Sequence, residues 1–384
     1  MCQNPDERDV QAAERLLEVE AKWLQEFIVE DPFNGNKNLR GFLCQKPDHR
    51  YGALALTHVD GAGALQAISA TPKLHYPLGR DGSFHFPPIK RILMYDKLDG
   101  TNVLAYRYRD AAGKSYVTYK LRLAPVLRNS KWGPFLDMWL ELMEKHPAIP
   151  ELAEKNDCSI SFEMYGMRNM HLIVYEEPLA AAVLFGVRAD ASVVPPDQLD
   201  LMGVPSTKLI GHLEAGQNPV AKYAEMRESM EKQNRPAEDD KISGTEGAVW
   251  YVETPNGRVS MWKCKPESVE NIHWATGINK EAVRATCWNY LETGDDLSYA
   301  TLLPLLLEEY QIDDIEKFRE NIEMCIKQVR GELEFKERVL TLYDSLGLSI
   351  TKDKGAVMRA LSQKFRKEDM RNVFSVIIGN RRNT

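Results

Sequence analysis

Several lysine and glutamate residues of this 384-residue chain have types and spacing that could support covalent chemistry. Lys97 lies in the segment YDKLDGTN, between the strand-like runs ILMYD and VLAYRYR. A lysine at a strand end before an Asp-Gly turn can be partly desolvated and surrounded by cations, which would lower its pKa and free the amine as a nucleophile. By itself the pattern K-x-D-G is more typical of an ordinary exposed turn lysine, so the hypothesis depends on residues elsewhere in the chain.

Four further runs follow in an order that suits nucleotide chemistry. FEMYG places Glu163 at a strand end, where it could bind a ribose hydroxyl, and EGAV provides Glu246, a carboxylate suited to Mg²⁺. VLFG offers the aromatic face of Phe185 to a base, although a position in the core explains this residue nearly as well. In WKCK, Lys263 and Lys265 stand two residues apart, so a strand would point both ammonium groups to one face. Together these groups are what attack on the α-phosphate of a nucleotide requires, although each glutamate alone also fits a solvated strand end.

Hydrophobic periodicity predicts the elements that would position these residues. Residues 7–31 are predicted to form one amphipathic helix, because apolar residues recur near helical spacing until DPFNGN interrupts them. From about 40 to 251, short β-branched and aromatic runs alternate with Gly, Pro and Asp, which predicts strands and hairpins. Helical patterns near 133–145 and 219–232 interrupt these strands. The fold class is therefore expected to be α+β, with antiparallel sheets and flanking helices.

Two domains are expected. After Pro266 the sequence changes to long stretches of helical period. We therefore assign residues 1–266 to the α+β domain that carries the candidate residues, and residues 267–384 to an all-α C-terminal domain.

Composition and charge exclude several classes of protein. Hydrophobic residues at 43% and charged residues at 27% are ordinary globular values, which exclude a mainly disordered or collagen-like chain. The net charge of −7 argues against general electrostatic coating of nucleic acid, and the six cysteines have no zinc-ligand spacing. No apolar run approaches the roughly 18 residues that span a bilayer. We expect a cytoplasmic protein with no membrane association and no obligate protein partner.

The series KLDGTN, FEMYG, VLFG, EGAV and WKCK resembles nucleotidyltransferase motifs I, III, IIIa, IV and V of the covalent superfamily of RNA ligases, DNA ligases and mRNA-capping enzymes. This resemblance covers roughly residues 40–266 and implies a ligase adenylation domain that uses ATP. It implies that Lys97 forms a lysyl-AMP phosphoramidate, that Glu163 binds the ribose and that Phe185 stacks on adenine. It also implies that Glu246 places Mg²⁺, with Mn²⁺ as an alternative metal.

The resemblance assigns further residues around these. Lys263 and Lys265 would hold the α-phosphate. Four other residues of the motif I segment would complete the loop around the nucleotide: Asp96, Asp99, Gly100 and Asn102.

Upstream and between motifs the resemblance is narrower. Arg40 in NLRGF and Lys73 in ATPKLHYP resemble the triphosphate-binding Arg and Lys of phage tRNA-repair RNA ligases. Lys120 and Arg122 in TYKLRL look like the basic motif between motifs I and III that contacts the 5′-phosphate side, although YKLRL is equally a two-faced surface strand.

Within the superfamily, RNA ligase is the favoured member. DNA ligases and capping enzymes usually continue after motif V into a β-rich OB-fold, whereas residues 267–384 have helical periodicity, and Thr101-Asn102 replace the arginine typical of DNA ligases. The expected partner is RNA with 5′-phosphate and 3′-hydroxyl ends, with tRNA as one candidate. A DNA ligase, a capping-type guanylyltransferase using the same lysine, and a nucleotide- or RNA-binding protein without turnover remain as alternatives.

Overall fold

The structure, a computed structural model, divides the chain into two compact units, Met1–Thr276 and Gly277–Thr384. The boundary predicted after Pro266 falls shortly before this division. The residues that the structure describes are 7–46, 48–77, 83–130, 133–237, 241–269, 280–291, 297–307, 310, 312–350 and 352–380.

The first unit contains strands and a few helices. The strands are β1 (Leu24–Asp31), β2 (Lys37–Cys44), β3 (Leu54–Val59), β4 (Ala62–Ile68), β5 (Arg91–Asp96), β6 (Thr101–Arg109), β7 (Ser115–Lys120), β8 (Ser159–Tyr165), β9 (Ala180–Val187), β10 (Val193–Val194), β11 (Leu209–Glu214), β12 (Arg235–Pro236), β13 (Ile242–Ser243), β14 (Ala248–Glu253) and β15 (Val259–Cys264). The α-helices are α1 (Glu7–Leu17), α2 (Phe135–Lys145), α3 (Ile149–Lys155) and α4 (Pro219–Gln233).

The strands form three main antiparallel sheets. The N-terminal sheet has the order β1-β2-β3-β4, the five-stranded sheet has the order β10-β9-β8-β6-β7, and the sheet that we call the β5 sheet has the order β11-β5-β14-β15. Strands β12 and β13 pair with each other. The predicted α+β class, with antiparallel sheets and flanking helices, is confirmed.

The five-stranded sheet and the β5 sheet pack face to face. Because alternate residues of a strand point to opposite faces, Val249 and Tyr251 of β14 join the core between the sheets, whereas Trp250 packs toward α4. Helices α2 and α3 cover the other face of the five-stranded sheet. The residues of this inter-sheet cluster are Tyr95, Leu104, Phe185, Val187, Val193, Val249, Tyr251 and Met261.

The predicted helix over 7–31 is wrong beyond Leu17. Helix α1 ends there, and Glu18 has a φ of 54°, a left-handed conformation that does not continue a right-handed helix. The last part of the segment forms β1, which pairs with β2 along its whole length. Pairing with the next strand along the chain outweighed the helical spacing, because strand stability depends on cross-strand neighbours that the periodicity of one segment does not reveal.

The described part of the second unit is helical, as predicted. Apolar side chains of α-helices pack into two clusters, one around Leu302 and Val329 and the other around Val339 and Val357. Within the described residues, no helix is long and apolar enough to cross a bilayer. The helices of this unit are α5 (Lys280–Leu291), α6 (Tyr299–Leu306), α7 (Ile312–Lys317), α8 (Arg319–Ser345), α9 (Lys354–Ser362) and α10 (Met370–Asn380).

Candidate active site

The register of the β5 sheet brings Lys97, Glu246 and Lys265 together at the ends of three adjacent strands. Strand β14 lies between β5 and β15, and Ala248 pairs with the last residue of each neighbour, Asp96 and Cys264. Because the strands are antiparallel, Lys97 follows the end of β5 at the place where Glu246 precedes β14 and Lys265 follows β15. Three residues that are far apart in sequence therefore meet at one point.

The carboxylate of Glu246 bridges the two lysines. Lys97 Nζ donates to Glu246 Oε2 at 2.5 Å, and Lys265 Nζ lies 2.9 Å from Glu246 Oε1. The side chains of Glu246 and Lys265 are only 6% and 5% exposed, so these ion pairs are little screened by water. Burial acts to raise the pKa of Glu246, but Lys265 and Lys97 outweigh it and hold that pKa at about 2. Glu246 is therefore a permanent anion at neutral pH.

The ionisation of Lys97 differs from the sequence expectation. Burial acts to lower its pKa, and so does the charge of Lys265, but the carboxylates of Glu246 and Glu163 outweigh them and the pKa is raised. In the absence of a nucleotide, Lys97 is therefore held as an ammonium ion. The sequence predicted the opposite direction, because the acidic neighbours that face Lys97 come from strands whose register it does not specify.

The second buried carboxylate, Glu163, comes from the facing sheet. Strands β6 and β8 pair with Asn102 opposite Glu163, and Asn102 Nδ2 donates to Ser161 Oγ at 2.8 Å and to Phe162 O at 3.0 Å. Burial raises the pKa of Glu163 to about 8, although the nearby charge of Lys97 acts in the opposite direction. At pH 7 the group formed by Lys97, Lys265, Glu246 and a protonated Glu163 therefore has net positive charge, which suits a phosphate ligand.

The pKa of Glu163 predicts how nucleotide binding depends on pH. As pH rises through about 8, Glu163 ionises and adds a negative charge beside the phosphates. We expect the ATP affinity of Lys97→Arg protein, which retains the cation but does not react, to fall on the order of tenfold between pH 7 and pH 9. Equilibrium ATP titrations at the two pH values measure this change. Adding Glu163→Gln should flatten the dependence, and an unaltered slope in the double variant would assign the titration to another group.

The loop between β5 and β6 is fixed at several points. Lys97 N donates to Gly247 O at 2.9 Å, and Thr245 Oγ1 donates to Asp96 Oδ1 at 2.9 Å. A Cβ on Gly100 would lie 2.2 Å from Met164 O, so this loop approaches β8 closely enough to require glycine. The loop therefore has little freedom at either end.

The carboxylate of Asp99 accepts hydrogen bonds from the backbone of a neighbouring segment. Its Oδ2 accepts from Leu172 N at 2.5 Å and from Ile173 N at 2.7 Å, and Asp99 N donates to Tyr175 Oη at 2.7 Å. Tyr175, Leu172 and Ile173 are absent from the residues singled out in the sequence. The run HLIVYEE has no motif that would have identified them, because the contact is made largely through backbone N–H groups.

Lys263 and Lys73 lie along the outer edge of the β5 sheet. Lys263 N donates to His75 O at 2.7 Å, and its Nζ lies 4.5 Å from the ring centroid of Tyr76. Burial lowers the pKa of His75, and the positive charges of Lys73 and Lys263 lower it further. The structure thus brings Lys73 and Lys263 to one neighbourhood beside β15.

Phe185 and Arg40 have surroundings that differ from their predicted roles in nucleotide binding. Phe185 is 4% exposed and packs in the inter-sheet cluster, in line with the alternative of a core position. Arg40 lies in β2, where its guanidinium contacts Glu26 Oε1 at 2.9 Å and Asp9 Oδ2 at 3.9 Å. Among the described residues, the ion pairs of this guanidinium are with α1 and β1. The two proposed ATP contacts stay predictions.

Lys120 is fully buried at the end of β7. Its Nζ donates to Gly52 O at 3.0 Å and to Arg122 O at 2.9 Å, so it connects two backbone segments. Burial, and secondarily the charge of Arg122, lower its pKa to about 7. Arg122 packs against Gly52 at the same place, and its role in nucleotide binding stays a prediction.

The lowered pKa of Lys120 predicts pH-dependent stability. The unfolded chain, with a lysine pKa near 10.5, binds more protons than the folded chain between about pH 7 and 10.5. The free energy of unfolding should therefore rise with pH across this interval and lose this contribution as pH falls through 7. Between pH 7 and pH 9 we expect the wild type to gain about 2 kcal/mol relative to Lys120→Met in chemical denaturation. Parallel pH dependences of the two proteins would contradict the assignment.

The predicted metal ligand is Glu246. Among the described residues, no group of three or more His, Cys, Asp or Glu side chains surrounds a potential metal position. Mg²⁺ at nucleotide sites is commonly held by one or two carboxylates together with substrate phosphates and waters. A buried, ionised Glu246 is a carboxylate donor of the kind this set uses, and its role as a metal ligand stays a prediction.

Comparisons with known proteins give only distant similarities. No protein-family profile and no curated protein sequence matches the chain. An archaeal ATP-dependent RNA ligase (form 1) is 15% identical, covers 94% of this chain and 90% of that chain, and has a TM-score of 0.45. A putative ATP-dependent DNA ligase from Aquifex aeolicus is 13% identical over 90% and 86% of the two chains, with a TM-score of 0.40. A Naegleria gruberi RNA ligase with PPi is 14% identical over 54% and 58%, with a TM-score of 0.35. Because each TM-score is below 0.5, the argument about function depends on the site itself.

Proposed function

We propose that this protein is an ATP-dependent RNA ligase that joins 5′-phosphate and 3′-hydroxyl ends through a lysyl-AMP intermediate. The observation that carries the proposal is the buried bridge Lys97–Glu246–Lys265, with Glu163 facing it from the opposite sheet. An amine at a strand end, two cations for phosphate and two carboxylates with opposite ionisation are the groups that nucleotidyl transfer to lysine requires.

In the first step Lys97 would attack the α-phosphorus of ATP. The Nζ–phosphorus bond forms, the bond from the α-phosphorus to the bridging oxygen breaks, and pyrophosphate leaves with the electron pair. Lys97 Nζ must lose a proton to solvent before attack, because its pKa is raised in the free protein, and a second proton leaves to solvent as the nitrogen–phosphorus bond forms. Lys263 and Lys265 would stabilise the charge on the transferring phosphoryl group.

In the second and third steps the adenylyl group would pass to RNA. An oxygen of the RNA 5′-phosphate attacks the phosphorus of lysyl-AMP, which breaks the nitrogen–phosphorus bond and returns the amine to Lys97. The 3′-hydroxyl of the second end then attacks the activated 5′-phosphate, and AMP leaves. A divalent cation held by Glu246 would act as a Lewis acid on the phosphates.

RNA rather than DNA is the proposed substrate because the second unit is helical in its described part. DNA ligases and capping enzymes of the superfamily that the motifs resemble have an OB-fold in this position. Backbone charge and the shape of RNA ends are the expected basis of recognition, with tRNA as a candidate substrate and the cytoplasm as the expected location.

Intact mass spectrometry after mixing the protein with ATP and Mg²⁺ tests the first step. We expect a gain of one AMP, mapped to Lys97 by peptide fragmentation and released by acid. A parallel incubation with GTP distinguishes a guanylyltransferase, and matched RNA and DNA ends distinguish the two ligases. The absence of any adduct, with nucleotide affinity retained, would instead favour the alternative of a binding protein without turnover.

A further inference from the structure

A short segment beside the site, His171 to Tyr175, forms hydrogen bonds both with the loop that carries Lys97 and with the chain that leads to Glu246. We call it the strap. On one side it contacts Asp99 through three hydrogen bonds, two from strap N–H groups to the carboxylate and one from Asp99 N to Tyr175 Oη. Asp99 is two residues after Lys97, so the strap holds the loop that begins at the lysine.

On its other side the strap pairs with the chain that leads to Glu246. Ile242 N donates to Leu172 O at 3.0 Å, and Val174 N donates to Ile242 O at 2.9 Å. Strand β13 begins at Ile242, and only three residues separate Ile242 from Glu246. The strap therefore lies between the loop of the lysine and the segment of its carboxylate partner, hydrogen-bonded to both.

Apolar contacts fix the strap itself. Ile173 is 1% exposed and packs with Ile242 and Val269. The ring of Tyr175 lies 4.9 Å from the ring of Tyr165, between centroids. Because these contacts involve the rings and the aliphatic side chains, removing only the Tyr175 hydroxyl should leave the strap in place.

Among the described residues, the Tyr175 hydroxyl is the one side-chain group of the strap that forms a hydrogen bond with the loop between Lys97 and Gly100. Its oxygen accepts from a backbone N–H at 2.7 Å, and leaving this partly buried N–H without an acceptor would be unfavourable. Burial raises the pKa of Tyr175, and the charges of Asp99 and Glu246 add to this although the hydrogen bond from the Asp99 N–H opposes it, so the hydroxyl stays protonated.

We propose that Tyr175 is a positioning residue for nucleotidyl transfer, because its hydroxyl holds the Asp99 amide and thereby fixes Lys97 against Glu246. This inference rests on the proposed function, since it assigns Tyr175 a part in the attack by Lys97. Tyr175 acts through the loop and does not need to touch the nucleotide. A displacement of the amine by a fraction of an ångström reduces the rate of attack more than it reduces nucleotide binding.

The test compares Tyr175→Phe with wild type in single-turnover adenylylation. We expect the rate at saturating ATP to fall on the order of ten- to a hundredfold, with the ATP concentration at half-maximal rate changed less than about threefold. Tyr165→Phe is the matched control, because it removes a hydroxyl from the neighbouring ring and no hydrogen bond of that hydroxyl is recorded among the described residues. The control should keep the wild-type rate.

Hydrogen exchange provides a readout that does not depend on activity. The amide of Asp99 should exchange faster in Tyr175→Phe than in wild type, while the amides of Leu172 and Ile173 remain protected by the Asp99 carboxylate. Equal adenylylation rates for Tyr175→Phe and wild type would overturn the inference, as would a change confined to the half-saturating ATP concentration. Failure of wild-type protein to form any adduct would instead reject the proposed function, and the exchange of the Asp99 amide would still report whether the hydroxyl holds the loop.

Discussion

Lys97→Arg protein should form no adduct with ATP, although its fold and its ion pair with Glu246 should persist. A guanidinium retains the positive charge that Glu246 and Glu163 face, but it does not lose a proton at accessible pH and is not a nucleophile. We therefore expect the mass gain of one AMP to disappear entirely. The measurement is intact mass spectrometry over a time course long enough to saturate the wild type.

Two controls make the Lys97→Arg result specific. The free energy of unfolding should change by less than about 1 kcal/mol, because the charge opposite Glu246 is kept. Joining of RNA ends that already carry a 5′-adenylyl group should continue, because that step does not use the lysine as a nucleophile. An adduct on Lys97→Arg protein would move the nucleophile to another residue and remove the basis of the proposed mechanism.

Glu246→Gln should reduce adenylylation on the order of a hundred- to a thousandfold. This substitution removes the charge that holds Lys97 Nζ at 2.5 Å and Lys265 Nζ at 2.9 Å, and it leaves two ammonium groups facing each other in a buried place. It should also cost about 3–5 kcal/mol in free energy of unfolding, since an unpaired buried charge is unfavourable. The rate of adduct formation and chemical denaturation measure the two effects.

The direction of the Glu246→Gln effect separates two roles of this carboxylate. Glu246 raises the pKa of Lys97, so its removal lowers that pKa and leaves more free amine at neutral pH. If deprotonation alone limited the reaction, the variant would be faster. A slower reaction therefore attributes the importance of Glu246 to positioning and charge stabilisation, whereas a faster one would contradict that attribution.

Glu253 offers a matched control at the opposite end of β14. Its carboxylate also bridges two cations, with Lys90 Nζ at 2.7 Å and Arg91 Nε at 2.5 Å, and the residue is 9% exposed. Glu253→Gln makes the same chemical change on the same strand, away from Lys97. It should reduce stability to some extent and leave the adenylylation rate unchanged. Equal losses of activity in the two variants would indicate that Glu246 acts only through the integrity of the sheet.

Residue types and local order in the sequence determined much of this protein. The runs ILMYD and VLAYRYR form β5 and β6 with Lys97 in the loop between them, because short apolar and aromatic runs bounded by turn residues are a local signal of strands. The helical character of the described second unit followed equally from its 3.6-residue period.

Only the tertiary structure decided which groups meet and how they ionise. Strand pairing placed Glu246 between Lys97 and Lys265, and this contact raises the pKa of Lys97, where the sequence had suggested a lowered one. Pairing with β2 likewise converted Leu24–Asp31 from a predicted helix into β1. The strap at Tyr175 has no sequence signal, because most of its bonds are made by backbone groups that every residue has. Register and burial are properties of distant chain segments brought together, and the electrostatic energy of a charge depends on those neighbours rather than on its own residue type.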